Sequence, residues 1–172
     1  MAEFINTVDV IGDEALTESI IDRSIAEYND DLVKEIGNGA FYGCNKLTSV
    51  YLPAVISIAT YAFCSCTNLQ SADFTAVTSI GGNVFGSCTN LTALIIRNTE
   101  KICTLGSFSF SSTPIASGTG YIYVPRIFLS DDDANKDYRR ATKWSAHANQ
   151  FRALEDYTVD GTTTGKLDPN KI

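Results

Sequence analysis

The chain has 172 residues, of which 44% are hydrophobic and 19% charged, a composition typical of one folded domain and not of a disordered chain. Its net charge of −7 argues against nucleic-acid binding, which needs clustered lysine and arginine. No stretch approaches 18 consecutive apolar residues, so the sequence predicts no membrane span. The first residues also lack the basic start and long apolar centre of a secretory signal.

Residues 1–32 are predicted to form a helical cap at the N-terminal end. Leu16, Ile20 and Ile21 recur at helical spacing within "DEALTESIIDRSI", and the acidic residues come early, as at a helix start. Together with Ile25, these residues offer more apolar surface than one cap needs. Such surface usually marks an interface, so residues 1–30 are also predicted to attach the chain to a partner or to further copies of itself.

Three units of equal length follow, at positions 36–57, 58–79 and 80–101, and they begin "IGNGAFYGC", "IATYAFCSC" and "IGGNVFGSC". A period of this length is typical of a solenoid, in which each turn buries its apolar side against its neighbours. The sequence therefore predicts a solenoid over residues 33–125, with a short strand and a helical turn in every unit. The stacked columns are Ile36, Ile58 and Ile80, continued by Ile102; Phe41, Phe63 and Phe85; Cys44, Cys66 and Cys88; Leu47, Leu69 and Leu91; Val50, Ala72 and Leu94; and Leu52, Phe74 and Ile96.

The cysteine column has two interpretations, a chemical one and a packing one. Structural zinc sites usually combine close pairs such as C-x2-C, whereas the close pair here is Cys64 and Cys66, a C-x-C with no histidine near it. Five cysteines also cannot all form disulfides within one chain. Packing is favoured, because cysteine is among the most buried residue types. Cys64 and Cys103 lie outside the column and are predicted to be unpaired thiols.

The repeat continues into a last, longer unit. Pro125 corresponds to Pro53 but lies further along the chain than three periods would place it, so a six-residue insertion is predicted near "SSTPIASGTG".

Residues 126–157 are predicted to form a C-terminal helical cap, with aspartates first and arginines last, as suits a helix dipole. The polar residues 158–172 are predicted to be a flexible tail. Positions i, i+4 and i+7 of the two cap helices are Ala134, Tyr138 and Ala141, then Trp144, Ala148 and Phe151.

The units resemble the BspA-type leucine-rich repeat. Its pattern, I-G-x-x-A-F-x-x-C-x-x-L-x-x-V-x-L-P, is matched by residues 36–53. The resemblance implies a leucine-rich repeat solenoid, and members of this family are non-enzymatic surface adhesins and binding modules. The helical caps predicted above would close this solenoid at both ends. The flanks "INTVDVIGDEALTESIIDRSI" and "ATKWSAHANQFRALEDY" are similar to the ends of short repeat proteins encoded by phages and prophages of gut Firmicutes.

Catalytic chemistry and cofactors are not predicted. His147 is the one histidine, and nothing in the sequence specifies serine and aspartate partners for it, so a surface position in the cap is the favoured interpretation. The run Asp131–Asp133 lacks the spaced ligands and terminal glutamate of a calcium loop and is better explained as a helix start. The sequence therefore predicts no catalytic residue, no metal site and no cofactor.

A binding face is predicted on the outward strand positions. Exposed aromatic side chains on a rigid sheet suit binding to protein or sugar. The alternative explanation is intrinsic propensity, because tyrosine and isoleucine are common in strands whether or not the strands bind a ligand. One outward column contains Glu27, Ser49, Ser71, Ala93 and Tyr121, and the other contains Asn29, Tyr51, Asp73, Ile95 and Tyr123; the candidate site consists of Tyr51, Asp73, Ile95, Tyr123, Ser49, Ser71 and Tyr121.

Three functions are compatible with these features. The flank resemblance favours a phage virion protein, a fibre or decoration that contacts the host surface through a protein or glycan and joins other virion proteins, or itself as a homotrimer, through residues 1–30. A bacterial cell-surface adhesin is the alternative, and it should carry a signal or anchor. An enzyme accessory module should sit beside a catalytic domain.

Overall fold

The computed structural model describes residues 10–11, 24–168 and 170–171. In these residues the chain coils into a solenoid with two parallel sheets, one of short strands in the order β1-β3-β5-β7-β9 and one of longer strands in the order β11-β10-β8-β6-β4-β2. The strands are β1 Val10–Ile11, β2 Glu27–Asn29, β3 Glu35–Ile36, β4 Ser49–Tyr51, β5 Ser57–Ile58, β6 Ser71–Phe74, β7 Ser79–Ile80, β8 Ala93–Ile96, β9 Thr104–Leu105, β10 Tyr121–Val124 and β11 Phe151–Ala153; the helices are α1 Pro114–Ser117 and α2 Leu154–Tyr157, with 3-10 turns at Arg126–Phe128, Ala134–Lys136 and Trp144–Gln150.

Strand pairing follows the period of the sequence repeat. In the long-strand sheet Tyr51 pairs with Asp73 and Asp73 with Ile95, and in the short-strand sheet Ile36 pairs with Ile58. Equivalent residues therefore lie above one another, and the predicted leucine-rich repeat solenoid is confirmed.

The segments between β3 and β4, and their equivalents, are chains of tight turns. Tyr42 N donates to Gly39 O within the turn (2.9 Å), while Phe41 N donates to Ala62 O of the next turn (2.7 Å). Backbone donors thus alternate between bonds within one turn and bonds between neighbouring turns. This alternation satisfies the buried backbone without a regular helix.

The core is a stack of aromatic rings along the solenoid axis. Phe41 and Phe63 lie 4.8 Å apart between ring centroids, Phe63 and Phe85 5.7 Å, and Phe85 and Phe110 5.9 Å, all nearly parallel. Trp144 packs 6.0 Å beyond Phe110, tilted against the last ring. The phenylalanine column is therefore confirmed, and it ends against the C-terminal cap.

The cysteine column is buried beside these rings. Cys44, Cys66 and Cys88 are at most 1% exposed, and none of the five cysteines, all of which lie in the described part of the chain, forms a disulfide. The Cys66 thiol donates to Phe41 O and the Cys88 thiol to Phe63 O, both at 3.0 Å. Each of these two thiols thus bonds to a carbonyl of the preceding turn, which confirms the packing interpretation.

The predicted six-residue insertion exists but is divided in two. Ile80 pairs with Leu105, and Ile95 pairs with Tyr123, so both pairs are further apart in the chain than the repeat period. Three extra residues precede β9, and three more precede β10, where α1 lies. Leu105 continues the isoleucine column, so the assignment of Ile102 to that column is wrong.

At the N-terminal end the solenoid begins earlier than expected. Strand β1 pairs with β3, and β2 pairs with β4 in the register of Glu27 with Ser49. The boundary at residue 33 is therefore wrong, because two strands from residues 1–32 already belong to the sheets. The predicted helix containing Leu16, Ile20 and Ile21 lies outside the described residues.

At the C-terminal end the cap consists of 3-10 turns and a strand, and the two predicted helices are wrong. Tyr138 and Trp144 lie over the end of the core, where Tyr138 Oη accepts from Cys103 N (2.8 Å) and Trp144 Nε1 donates to Cys103 O (2.6 Å). Phe151 begins β11, which pairs with β10. These contacts satisfy backbone groups of the last turn that a smooth helix face would leave unpaired.

Candidate functional site

The outward face of the long-strand sheet carries both predicted columns in the expected register. Exposure along the columns is uneven. Tyr51 is 44% exposed, whereas Ile95 and Tyr123 are each 2% exposed. The expectation that Ile95 and Tyr123 lie on an open surface is therefore wrong.

These two residues are covered by the end of the same chain. Leu154 is buried against Ile95 and Tyr123, and the Tyr157 ring meets the Tyr123 ring at 5.2 Å, edge to face. Burial raises the pKa of the Tyr123 hydroxyl to about 12. Leu167, Tyr121 and Ala93 complete this second apolar cluster on the outer side of the sheet.

The cover continues as a hairpin of residues 158–168, called here the strap. Val159 N donates to Lys166 O (2.9 Å), Asp168 N donates to Tyr157 O (2.7 Å), and Thr158 pairs with Leu167 in an antiparallel bridge. Thr158 is fully buried. The segment expected to be a flexible tail is thus folded back on the sheet over this range.

Arg97 joins the strap to the sheet. Its Nε and Nη2 each donate to the Asp73 carboxylate at 2.8 Å, and its Nη1 donates to Thr163 O (2.6 Å) and Gly165 O (2.9 Å). The Arg97 side chain is 7% exposed. Burial raises the pKa of the Asp73 carboxyl, and Arg97 offsets part of that shift. Asp73, predicted as a ligand contact, is therefore engaged within the chain.

The open part of the face lies over β2, β4 and β6. Ser49 and Ser71 are half-buried beside the exposed Tyr51. Tyr121 is less available, because the guanidinium carbon of Arg152 lies 4.2 Å from its ring centroid. Of the seven predicted site residues, Tyr51, Ser49 and Ser71 remain available to a partner, with Asp73 at the margin.

An open groove of about 510 Å³ runs between the strap and the loops that follow β6 and β8. The periodic reasoning missed it, since one wall is the strap, which is not a repeat. The one available signal was Arg97, a charged residue in the column that holds Pro53 and Thr75 in the preceding turns. The groove is lined by Ile56, Thr75, Ala76, Thr78, Arg97, Asn98, Thr99, Glu100, Thr163 and Thr164.

His147 and the aspartate run have structural roles. His147 packs edge-on against Phe110 at 5.1 Å, and burial lowers its pKa. Asp133 caps the 3-10 turn through Asn135 N (2.9 Å), and Asp131 pairs with Arg139 (2.7 Å). Among residues 10–11, 24–168 and 170–171 the structure holds no cluster of metal-ligating side chains and no helix long and apolar enough to cross a membrane.

Stacked repeat turns with two parallel sheets define the class of leucine-rich repeat solenoids, which typically serve as non-enzymatic binding scaffolds. The chain belongs to the family described as BspA type leucine rich repeat region, whose model matches residues 9–120 in six copies. This range includes β1 and β2, in agreement with the early start of the solenoid. Comparison with curated proteins found no match.

Proposed function

We propose that the chain is a binding module whose open strand face, over β2, β4 and β6, contacts a protein partner. The observation that carries this proposal is the exposure of Tyr51 on a rigid parallel sheet, on the same face as the paired and half-buried Ser49 and Ser71. Tyrosine is enriched at the energetic centres of protein interfaces, since it offers a large apolar area and a polar end for few rotatable bonds. Arg97 and the strap hold one border of this face in place.

We further propose that this module is part of a phage virion, as a fibre or decoration protein that meets the host surface. The resemblance of both flanks to phage-encoded repeat proteins supports this location. Attachment to other virion proteins, or assembly as a homotrimer, uses the part of residues 1–30 outside β1 and β2. A bacterial cell-surface adhesin remains the second candidate, and it uses the same strand face.

Host-cell attachment by the purified full chain tests the binding face. Tyr51→Ala should weaken attachment by about tenfold or more, as expected for a residue at the centre of an interface. Ile127→Ala serves as the control, because Ile127 is 56% exposed on the C-terminal cap, away from the strand face. Unchanged attachment by Tyr51→Ala would remove the strand face from the proposal. Detection of the chain in purified particles, by antibody, separates the virion from the cell surface.

A further inference from the structure

The tight turns form a second continuous surface, on a different side of the coil from the strand face. It consists of residues 37–45, 59–68, 81–90 and 106–113, called here the turn face. Neighbouring segments are joined by backbone hydrogen bonds, for example Tyr61 N to Gly82 O (3.0 Å) and Asn83 N to Ser107 O (3.0 Å). The surface is therefore a rigid, four-layered sheet of turns.

The turn face contains no charged residue, although 19% of the whole chain is charged. A share of that size would place about seven charged side chains among its 37 positions. Each of the twelve exposed residues is Tyr, Phe, Asn, Ser or Thr, so charge is missing even where water is in contact. The twelve are Asn38, Tyr42, Asn45, Tyr61, Asn68, Ser87, Thr89, Asn90, Ser107, Phe108, Ser111 and Ser112.

Two of the exposed aromatic residues have left-handed backbone conformations. Tyr61 has φ 60° and is 47% exposed, and Phe108 has φ 59° and is 74% exposed. The equivalent positions in the other turns hold Gly39 and Asn83, the residue types that tolerate this conformation. A bulky residue here raises the energy of the fold and gains little from burial. Strain of this kind often marks a functional position.

The geometry of this column suits a ligand with flat apolar faces and polar edges. Tyr61, Asn83 and Phe108 occupy successive turns, so the two aromatic positions are about 10 Å apart with an amide between them, given a spacing of about 4.8 Å per turn. A third exposed ring, Tyr42, lies on the same surface, 47% exposed. Ser111 and Ser112 are exposed on the same surface and add hydroxyl groups to it.

We propose that the turn face binds neutral carbohydrate, with Tyr61 and Phe108 stacked on sugar rings and Asn83 bonded to a sugar hydroxyl. The C–H groups on a sugar face carry partial positive charge and meet the negative face of an aromatic ring. Asn, Ser and Thr both donate and accept hydrogen bonds, as sugar hydroxyls require. This site is independent of the protein contact assigned to the strand face.

Other ligand classes fit the turn face less well. Nucleic acids and acidic polysaccharides need cationic side chains, and this surface has none. Protein interfaces are enriched in arginine and methionine as well as aromatic residues, and both are missing here. A neutral polyol is the ligand class that needs only rings, amides and hydroxyls.

Affinity electrophoresis of the full chain through gels that contain dextran, mannan or a neutral β-glucan tests the proposal, with hyaluronate as the charged comparator. At least one neutral polymer should retard the chain, and hyaluronate should not. Tyr61→Gly and Phe108→Gly should each weaken retardation by about tenfold. Because glycine relieves the strained φ, both variants should keep or raise the melting temperature, which a purely structural role would not predict.

Ser87→Gly is the matched control. Ser87 has φ 60° in a neighbouring column of the same face but carries no ring, so its replacement should leave retardation unchanged. Absence of retardation in all three neutral polymers, or equal retardation of the wild type and the Tyr61→Gly Phe108→Gly double variant, overturns the proposal. Self-association that disappears in the double variant would identify a second copy of the chain as the occupant instead, and would also overturn it. Tyr51→Ala leaves the turn face intact, so the strand-face proposal and the turn-face proposal can be contradicted independently of each other.

Discussion

Arg97 and Asp73 form a bidentate ion pair between neighbouring turns of the solenoid, with both N–O distances at 2.8 Å. The remaining contacts of Arg97 go to the carbonyls of Thr163 and Gly165 in the strap. One side chain thus joins two turns and the C-terminal hairpin. The strap position therefore depends on a charge in the repeats.

Replacing Arg97 with alanine should lower the free energy of unfolding by about 3 kcal/mol, because the Asp73 side chain, only 18% exposed, would lose its partner. Denaturant unfolding of the full chain measures this loss. The Arg97→Ala Asp73→Ala double variant should lose less than the two single losses added together, as expected for groups in contact. A loss below about 1 kcal/mol for Arg97→Ala would show that the pair is dispensable.

Removing α2 together with the strap should change the titration of Tyr123. In the full chain burial raises the pKa of Tyr123 to about 12, compared with about 10 for an ordinary tyrosine. A raised folded-state pKa stabilises the fold below the unfolded value, and this contribution is lost as the pH rises from about 10 to about 12. Ultraviolet titration of a chain that ends at Ala153, and so lacks both α2 and the strap, should lose the ionisation near pH 12 that Tyr123 gives in the full chain.

Tyr123→Phe identifies the titrating group in that experiment. In the full chain this variant should remove the ionisation near pH 12 and leave the others in place. The shortened chain should also bind more of a hydrophobic dye, because Ile95 and Tyr123 become exposed. An ionisation near pH 12 that persists in the shortened chain would mean that Leu154 and Tyr157 do not cover Tyr123 in solution.

Gly106 should tolerate no side chain. A Cβ atom at this position would lie 2.2 Å from Gly81 C and Gly82 N, which are backbone atoms of the adjacent turn. Gly106→Ala is therefore expected to cost at least about 3 kcal/mol. Ala59 occupies the same column two turns earlier, where Ala59 N donates to Ile36 O. Ala59→Gly should cost no more than about 1 kcal/mol, and similar melting temperatures for the two variants would contradict the close approach.

The parts of the fold that could be predicted are those that repeat. Cys44, Cys66 and Cys88 share one environment, so their spacing alone locates them in a buried column. The two ends of the solenoid do not repeat, and at the C-terminal end the local spacing of apolar residues wrongly predicted helices. Trp144 and Phe151 have helical spacing, yet Phe151 pairs with β10, because an open strand edge offers backbone bonds that a helix does not.

The candidate site shows the same division. The register of Tyr51, Asp73 and Ile95 follows from the period, but their exposure does not. Exposure depends on α2 and the strap, whose positions are determined by contacts with the Tyr123 cluster and with Arg97. Periodicity identifies which residues share a face, whereas only long-range contacts decide which part of that face is open.

Ser87→Gly should stabilise the protein by about 0.5–1 kcal/mol, because Ser87 is exposed in a left-handed conformation with φ 60°, where a Cβ atom is unfavourable. Ser107 offers the matched comparison, since it is an exposed serine on the same surface and is not among the described residues with positive φ. There glycine only adds freedom to the unfolded chain, so Ser107→Gly should destabilise by a similar amount. The melting temperatures of the two variants, measured by calorimetry, should therefore shift in opposite directions. A shift in the same direction would mean that the left-handed positions of the turn face do not carry the strain assigned to Tyr61 and Phe108.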